Sequence, residues 1–339
     1  MGKRIKKGMK KNSKLKCIIT LILCMALGAA CLGGCGSREE EPANIRVGSL
    51  KGPTSMGILF LMDKAEKGET KDSYEFQMAT AADELLPLMV KGELDIALVP
   101  ANVAAALYEK TEGGVAVIDI NTLGVLYVVT GTAEINSPAD LKDKTIYLTG
   151  KGTTPEATLR YILDANGLKE GDYTLEFKSE ASEVAAVLAE NPDAVGLLPQ
   201  PFVTAAMLQN EALKTVLDLN EEWIRVTEGT EGLVTGVTVV RKAFLEEHPE
   251  AVSAFLEEHA LSTASANEDV ETAAALAVEA GIVAKEPIAV KAIPQCNITC
   301  VTGQEMKDAL SSYLTVLAEF NVELVGGQVP GEDFYYLGE

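Results

Sequence analysis

Aromatic side chains are few, 5% of 339 residues with Trp223 as the one tryptophan. So few rings argue against sandwich stacking of a large flat ligand such as a flavin. Histidine is scarcer still. His248 and His259 are the only two, and each follows a Glu-Glu pair in a stretch that reads as a solvated helix, so a histidine-based triad has no base. Gly-x-Ser-x-Gly, His-Glu-x-x-His and, in a fitting context, Gly-x-Gly-x-x-Gly are missing, which leaves hydrolase, zincin and dinucleotide chemistry without support. No cofactor is expected. Net positive charge is confined to the start: residues 1–34 hold eight basic residues and no acid, leaving 21 basic against 50 acidic residues beyond, a net of −29. So acidic a body repels phosphates and argues against nucleic-acid binding.

The eight cations precede an apolar stretch, Cys17 to Gly34, after which the chain turns polar at Ser37-Arg38-Glu39-Glu40-Glu41. A basic region, an apolar region and small residues before a cleavage point describe a secretory signal. Leu32-Gly33-Gly34-Cys35 is similar to the bacterial lipobox, in which the Cys is acylated and becomes the mature N-terminus; two acyl chains suffice for stable anchoring. The alternative is an uncleaved anchor, because 18 apolar residues approach a bilayer span. Expected bounds are 1–34 for the signal and 35–43 for an acidic tether, with the mature chain outside the cell membrane.

Cys17, Cys24 and Cys31 leave with such a signal and Cys35 is lipidated, so Cys296 and Cys300 remain. The Cys-x3-Cys spacing has no second pair, and the histidines fall on helices, so no metal site is expected. An extended segment holds their Cα atoms about 13 Å apart, beyond disulfide reach of about 7 Å, whereas a local turn would bring them together. Two buried free thiols are the expectation.

Alternation and turn residues place strands at 45–50, 74–79 and 94–99, each followed by a helix, a βαβαβα run that calls for parallel pairing. A longer apolar strand at 123–129 follows, and the pattern then repeats through strands at 145–148, 174–177 and 194–198. A second long strand at 233–240 leads to a helical C-terminal part. Two α/β modules joined by strands that cross out and back give a two-lobed α/β fold, each lobe a mostly parallel sheet flanked by helices, with the crossings as hinge. Lobe 1 is 44–127 plus 240–339, and lobe 2 is the insert 128–239.

An open α/β sheet presents its ligand crevice at the strand carboxyl ends. These positions hold Lys51, Thr54, Ser55 and Met56, then Thr80-Ala81, then Asn102. In lobe 2 they hold Gly152, Thr153 and Thr154, then Gln200 and Phe202, with Tyr127 and Thr130 on the outgoing strand. Hydroxyls at helix starts sit where free N–H groups favour an anion, although Ser and Thr there also serve as ordinary caps. Gly150-Lys151-Gly152-Thr153-Thr154 lacks the spacing of a phosphate loop. Tyr108 and the helical acids read as core and as solvated surface.

Four segments carry a resemblance. They are Lys51-Gly52-Pro53-Thr54-Ser55-Met56-Gly57, Lys91-Gly92-Glu93-Leu94-Asp95-Ile96-Ala97, Ser137-Pro138-Ala139-Asp140-Leu141-Lys142-Asp143-Lys144-Thr145-Ile146, and Val239-Val240-Arg241-Lys242-Ala243-Phe244-Leu245 with His248-Pro249-Glu250 after it. Through them nearly all of residues 44–320 resembles type II periplasmic-binding-protein-like receptors of ABC importers, within them the sulfonate, taurine, nitrate and thiamine-precursor group. Where sulfonate and taurine receptors commonly show a Glu-Pro-Trp-like turn, this chain has Pro199-Gln200-Pro201-Phe202. The resemblance implies a monomeric, lipid-anchored binding protein, not an enzyme, that captures a small polar or anionic solute and delivers it to a permease with its ATPase. An anionic solute would pair with Lys51, and the hydroxyls and amides would supply hydrogen bonds. Alternatives on the same fold are a sensor lipoprotein without a transport role and an exported enzyme.

Overall fold

Residues 42–229 and 232–338 are described by the structure, a computed structural model. The signal segment, Cys35 and most of the expected tether lie outside the described residues. Lobe 1 begins with β1 (Asn44–Leu50), α1 (Leu59–Glu66), β2 (Ser73–Ala79), α2 (Ala82–Lys91), β3 (Ile96–Pro100), α3 (Ala101–Lys110) and β4 (Val115–Thr122). The chain crosses into lobe 2 as β5 (Leu126–Thr130) and continues through β6 (Thr145–Leu148), α4 (Thr154–Ala165), β7 (Thr174–Phe177), α5 (Ala181–Glu190), β8 (Val195–Pro199), α6 (Phe202–Gln209), β9 (Lys214–Asp218) and α7 (Leu219–Thr227). It returns through β10 (Gly236–Arg241), α8 (Lys242–Glu247), α9 (Pro249–Glu268), α10 (Val270–Glu279), α11 (Glu286–Ala292), β11 (Ile298–Val301) and α12 (Gly303–Phe320).

The six-stranded sheet runs β11-β4-β10-β3-β1-β2 and the five-stranded sheet β7-β6-β8-β5-β9. Parallel pairing is confined to β3-β1-β2 and β7-β6-β8, and the other pairs are antiparallel. The sheets are therefore mixed rather than mostly parallel. The reason is the crossing: β10 fills the slot between β3 and β4 antiparallel to both, and β5 enters the second sheet antiparallel to β8. All of β4 is buried, as a strand covered on both faces must be. The expected long strand at 123–129 is broken, since β4 ends at Thr122 and β5 starts at Leu126. The sheet changes at 123–125 and 232–235, a few residues off the expected 127/128 and 239/240 boundaries.

Two of the sequence segments singled out above meet at the foot of β3. Arg46 donates to the Asp95 carboxylate through Nε (2.8 Å) and Nη2 (2.6 Å), and Arg241 donates through Nη2 (2.6 Å). Burial pushes the Asp95 carboxyl up, but the two guanidiniums outweigh it and leave it below the ordinary value. One acid thus ties β1, β3 and β10 at the end of the sheet away from the crevice.

His248 is exposed as expected, but His259 is fully buried. Its helix, α9, lies against the sheet, so the neighbouring glutamates do not report on its environment. Cys296 is buried and Cys300 half-buried, both as free thiols. Among the described residues no helix is long and apolar enough to cross a membrane.

Candidate functional site

β3 and β8 both end in proline, Pro100 and Pro199, and their carboxyl ends face each other across the junction of the lobes. Between them lies a cavity of about 200 Å³. Lobe 1 contributes the start of α3 (Ala101, Asn102) and Tyr313 of α12, and lobe 2 the first turn of α4 (Thr154, Pro155, Thr158). Val125, Leu126, Leu233 and Thr235 complete it from the two crossings. A larger hollow of about 320 Å³ lies beside the edge strand β2, between α1 and α10, away from the crevice.

The chemistry of the cavity is that of neutral polar groups on apolar walls. Thr158 is 1% exposed, and its hydroxyl lies beside the Tyr313 phenol, the two forming a polar part of the cavity wall. Burial pushes the Tyr313 phenol up to about 12, and its ring packs edge-on against Trp223, 5.5 Å between centroids. Trp223 in turn contacts Tyr161 of α4 at 5.0 Å. This aromatic row joins α12 to lobe 2 along one wall of the cleft. Tyr127 is buried, and its hydroxyl donates to Gln295 O at 2.7 Å, a second tie between the lobes.

The hydroxyl-rich loops expected to hold an anion are already filled by the protein's own carboxylates. At α2, Glu84 Oε1 accepts from Thr80 N (3.0 Å), Thr80 Oγ1 (2.7 Å) and Ala81 N (3.0 Å). These bonds, the Thr80 hydroxyl foremost, hold the Glu84 carboxyl below its usual range. At α4, Glu156 Oε2 accepts from Gly152 N at 2.8 Å, while Thr153 Oγ1 donates to Gly150 O at 2.6 Å. A glutamate in the third helical position reaching back to the loop is the capping arrangement, and the Glu156 charge is in turn paired with Arg160 Nε at 2.7 Å.

Of the sequence-derived candidates, Asn102 and Thr154 line the cavity. Thr80, Ala81, Gly152 and Thr153 are exposed around the two filled loops. Ser55 is fully buried, its Oγ engaged with Ser49 Oγ at 2.5 Å and with Leu50 O. Thr54 is 7% exposed, and its methyl abuts the position of Gly236. Met56 is fully buried in an apolar cluster with Leu59 and Ala273, because the 3-10 turn Pro53–Ile58 faces its side chain inward, so it is no ligand contact. Thr130 is also misplaced. It is fully buried at the opposite end of β5, paired with Val195, whereas Leu126 at the cavity end pairs with Pro199. Gln200 is 4% exposed, and its Oε1 accepts from Thr204 Oγ1 at 2.8 Å. Phe202 is 48% exposed. Lys51 is exposed, with Nζ beside Gly281 rather than at the cavity. Tyr108 faces the C-terminal segment, where its hydroxyl donates to Asp333 Oδ1 at 2.6 Å.

The sequence reading did not single out Thr158 or Tyr313. A helical Thr one turn past the start and an aromatic far along the chain carry no local signal. It also did not single out Asn220, at the start of α7. Its Oδ1 accepts from Gly124 N (3.2 Å) and Leu233 N (2.8 Å), so one side chain clips the two crossings together. From lobe 1, Asn297 Nδ2 donates to Gly124 O at 2.6 Å. Cβ atoms on Gly124 and Gly232 would sit 2.7 Å from Asn220 Cβ and 2.6 Å from Asn220 Oδ1, which explains glycine at both crossings.

Comparison with known proteins agrees with this architecture. An ABC transporter from Parabacteroides distasonis is 25% identical, over 86% of this chain and 98% of that one, with a TM-score of 0.73. The periplasmic aliphatic sulphonate binding protein SsuA from Escherichia coli is 15% identical over 87% and 91%, with a TM-score of 0.67. The periplasmic nitrate-binding protein NrtA from Synechocystis is 13% identical over 87% and 84%, with a TM-score of 0.56. No curated protein matches the sequence significantly. The sequence model of the menaquinone biosynthesis family matches residues 55–319, which span the described core of both lobes and the cavity between them. This chain, with the two-lobed periplasmic-binding-protein fold, therefore belongs to the menaquinone biosynthesis family.

Proposed function

We propose that the protein is an exported solute-binding protein, lipid-anchored at Cys35, that holds a small molecule between its lobes and presents it to an ABC-type permease. The cavity carries this reading: it lies at the strand carboxyl ends, its walls come from both lobes, and it presents the buried hydroxyls of Thr158 and Tyr313. A volume of about 200 Å³ is below the roughly 300–1,000 Å³ of drug-sized sites, so the occupant is small. The cavity lining holds no guanidinium or ammonium. With Glu84 and Glu156 occupying the flanking loops, the solute's polar atoms meet hydroxyls and an amide, which favours an uncharged polar compound over a sulfonate or nitrate.

The family description favours a second reading, an enzyme acting in the same cleft. Its general acid or base would have to come from Tyr313, the one titratable side chain in the lining.

The test is thermal unfolding of the mature chain against neutral heterocycles, amides and sugars alongside alkylsulfonates and nitrate, with mass analysis of compounds that co-purify. A ligand at about 100 times its Kd stabilises by about 2.7 kcal/mol, a shift of several degrees. A shift from a neutral compound that Thr158→Val abolishes is expected. Selective shifts from the anions would overturn the ligand class. Conversion of the bound compound, lost in Tyr313→Phe, would replace the receptor by the enzyme.

A further inference from the structure

Asp119 of β4, His259 of α9 and Cys300 of β11 meet inside lobe 1, outside the cleft. One donor atom from each, a carboxylate oxygen, a ring nitrogen and the thiol sulfur, lies within 4.8 Å of the others. His259 Nδ1 and Asp119 Oδ2 are 3.2 Å apart. Thr238 Oγ1 donates to the other carboxylate oxygen at 2.8 Å, and Asn121 Nδ2 donates to Thr238 Oγ1 at 3.2 Å, which leaves Oδ2 turned to the ring.

Charge makes the cluster more than a hydrogen-bonded pair. Asp119 is fully buried, and among the described residues no lysine or arginine pairs with it. A buried carboxylate without a counter-charge is strongly unfavourable. A divalent cation resolves this, because its charge cancels those of a carboxylate and a thiolate.

The geometry points to a divalent-cation site of the borderline-soft class that zinc represents, held by Asp119 Oδ2, His259 Nδ1 and Cys300 Sγ. A mixed oxygen, nitrogen and sulfur set suits that class, and three protein ligands leave a fourth tetrahedral position for water. As the metal–sulfur bond forms, the Cys300 thiol releases its proton to solvent, while the His259 ring proton that faces Asp119 Oδ2 from Nδ1 in the metal-free pair moves to Nε2, freeing the Nδ1 lone pair for the metal. Room for that outer nitrogen depends on Gly57: a Cβ there would sit 3.2 Å from Nε2 and 2.8 Å from Thr263 Oγ1. Cys300 is half-buried, which gives an ion a way in. Bound there, the ion pins α9 and β11 to β4.

The experiment is a cobalt titration of the chelator-treated mature protein, followed by absorbance, with zinc as competitor. The expected result is a thiolate-to-cobalt charge-transfer band that saturates at one equivalent and is displaced by zinc. It is accompanied by one proton released per ion and a rise in Tm. Cys300→Ser should abolish the band and the Tm rise, and Cys296→Ser should keep both. Circular dichroism of Cys300→Ser checks that the fold is retained, and His259→Gln with an unaltered Cys300 serves as a second variant. No band in the wild type, or a band that survives in Cys300→Ser, would overturn the site.

Discussion

Asn220→Ala tests whether a single side chain couples the two crossings. The variant removes the acceptor for Gly124 N and Leu233 N, bonded at 3.2 and 2.8 Å. An orphaned buried donor costs about 1–3 kcal/mol. The longer bond is the weaker, and water can enter the space left by the side chain, so about 2 kcal/mol is the expected total. For a chain of this length that is a Tm fall of about 4 °C. A second substitution isolates the contact. Gly232→Ala places a Cβ 2.6 Å from Asn220 Oδ1 and 3.0 Å from Leu123 Cδ1, an overpacking worth about 1–3 kcal/mol. Once Asn220 is alanine the tighter of these clashes is gone, so the double variant should be more stable than the sum of the singles by about 1 kcal/mol. Calorimetry on the four proteins measures the cycle, and small-angle scattering reports whether the lobes separate more widely in Asn220→Ala. Strict additivity, or an Asn220→Ala protein that melts with the wild type, would refute the clip.

Asp95→Asn should cost about 2–4 kcal/mol at pH 7, because it leaves two guanidiniums facing an amide. The folded value of Asp95 lies below its unfolded one of about 3.9, so its contribution is whole above that pH and lost as pH falls through the folded value; a Tm gap that persists undiminished at pH 2 contradicts the assignment. Glu156→Gln should lower stability by about 1–2 kcal/mol by weakening its bonds to Gly152 N and Arg160 Nε, and hydrogen exchange should quicken at Gly152; an unchanged exchange rate there would refute the cap. Thr154→Ala should weaken ligand binding and Thr153→Ala should not, since only Thr154 lines the cavity; equal losses would move the site outward. Burial pushes the Cys296 thiol up to about 12, so iodoacetamide at pH 8 should modify it in the unfolded protein and spare it in the native one.

The two-lobed plan was legible because it rests on local signals. Strands β1, β2, β3, β6, β7 and β8 announce themselves by apolar alternation closed by turn residues. Helices follow each of them after short loops, and the short βα spacing dictates parallel pairing. Asn102 and Thr154 were reachable for the same reason, since a strand's carboxyl end is defined by its own sequence. Met56 and Thr130 were misjudged because neither side-chain direction in a 3-10 turn nor the polarity of a crossing strand is written locally.

What the sequence determined by itself is therefore the acidic body and the succession β1, β2, β3, β6, β7 and β8 with a helix after each, whereas β4, β9 and β11 went unread. Only the tertiary structure decided the mixed pairing, since β10 enters lobe 1 from the far side of a whole inserted lobe. The same holds for the sites. Thr158 and Tyr313 share a cavity, Asn220 clips Gly124 to Leu233, and His259 leaves its apparent solvated face for Asp119 and Cys300. Each depends on residues far apart in the chain, whose meeting is set by how sheets and helices pack. Periodicity tells which face of an element is apolar, but not which polar group on another element that face will bury.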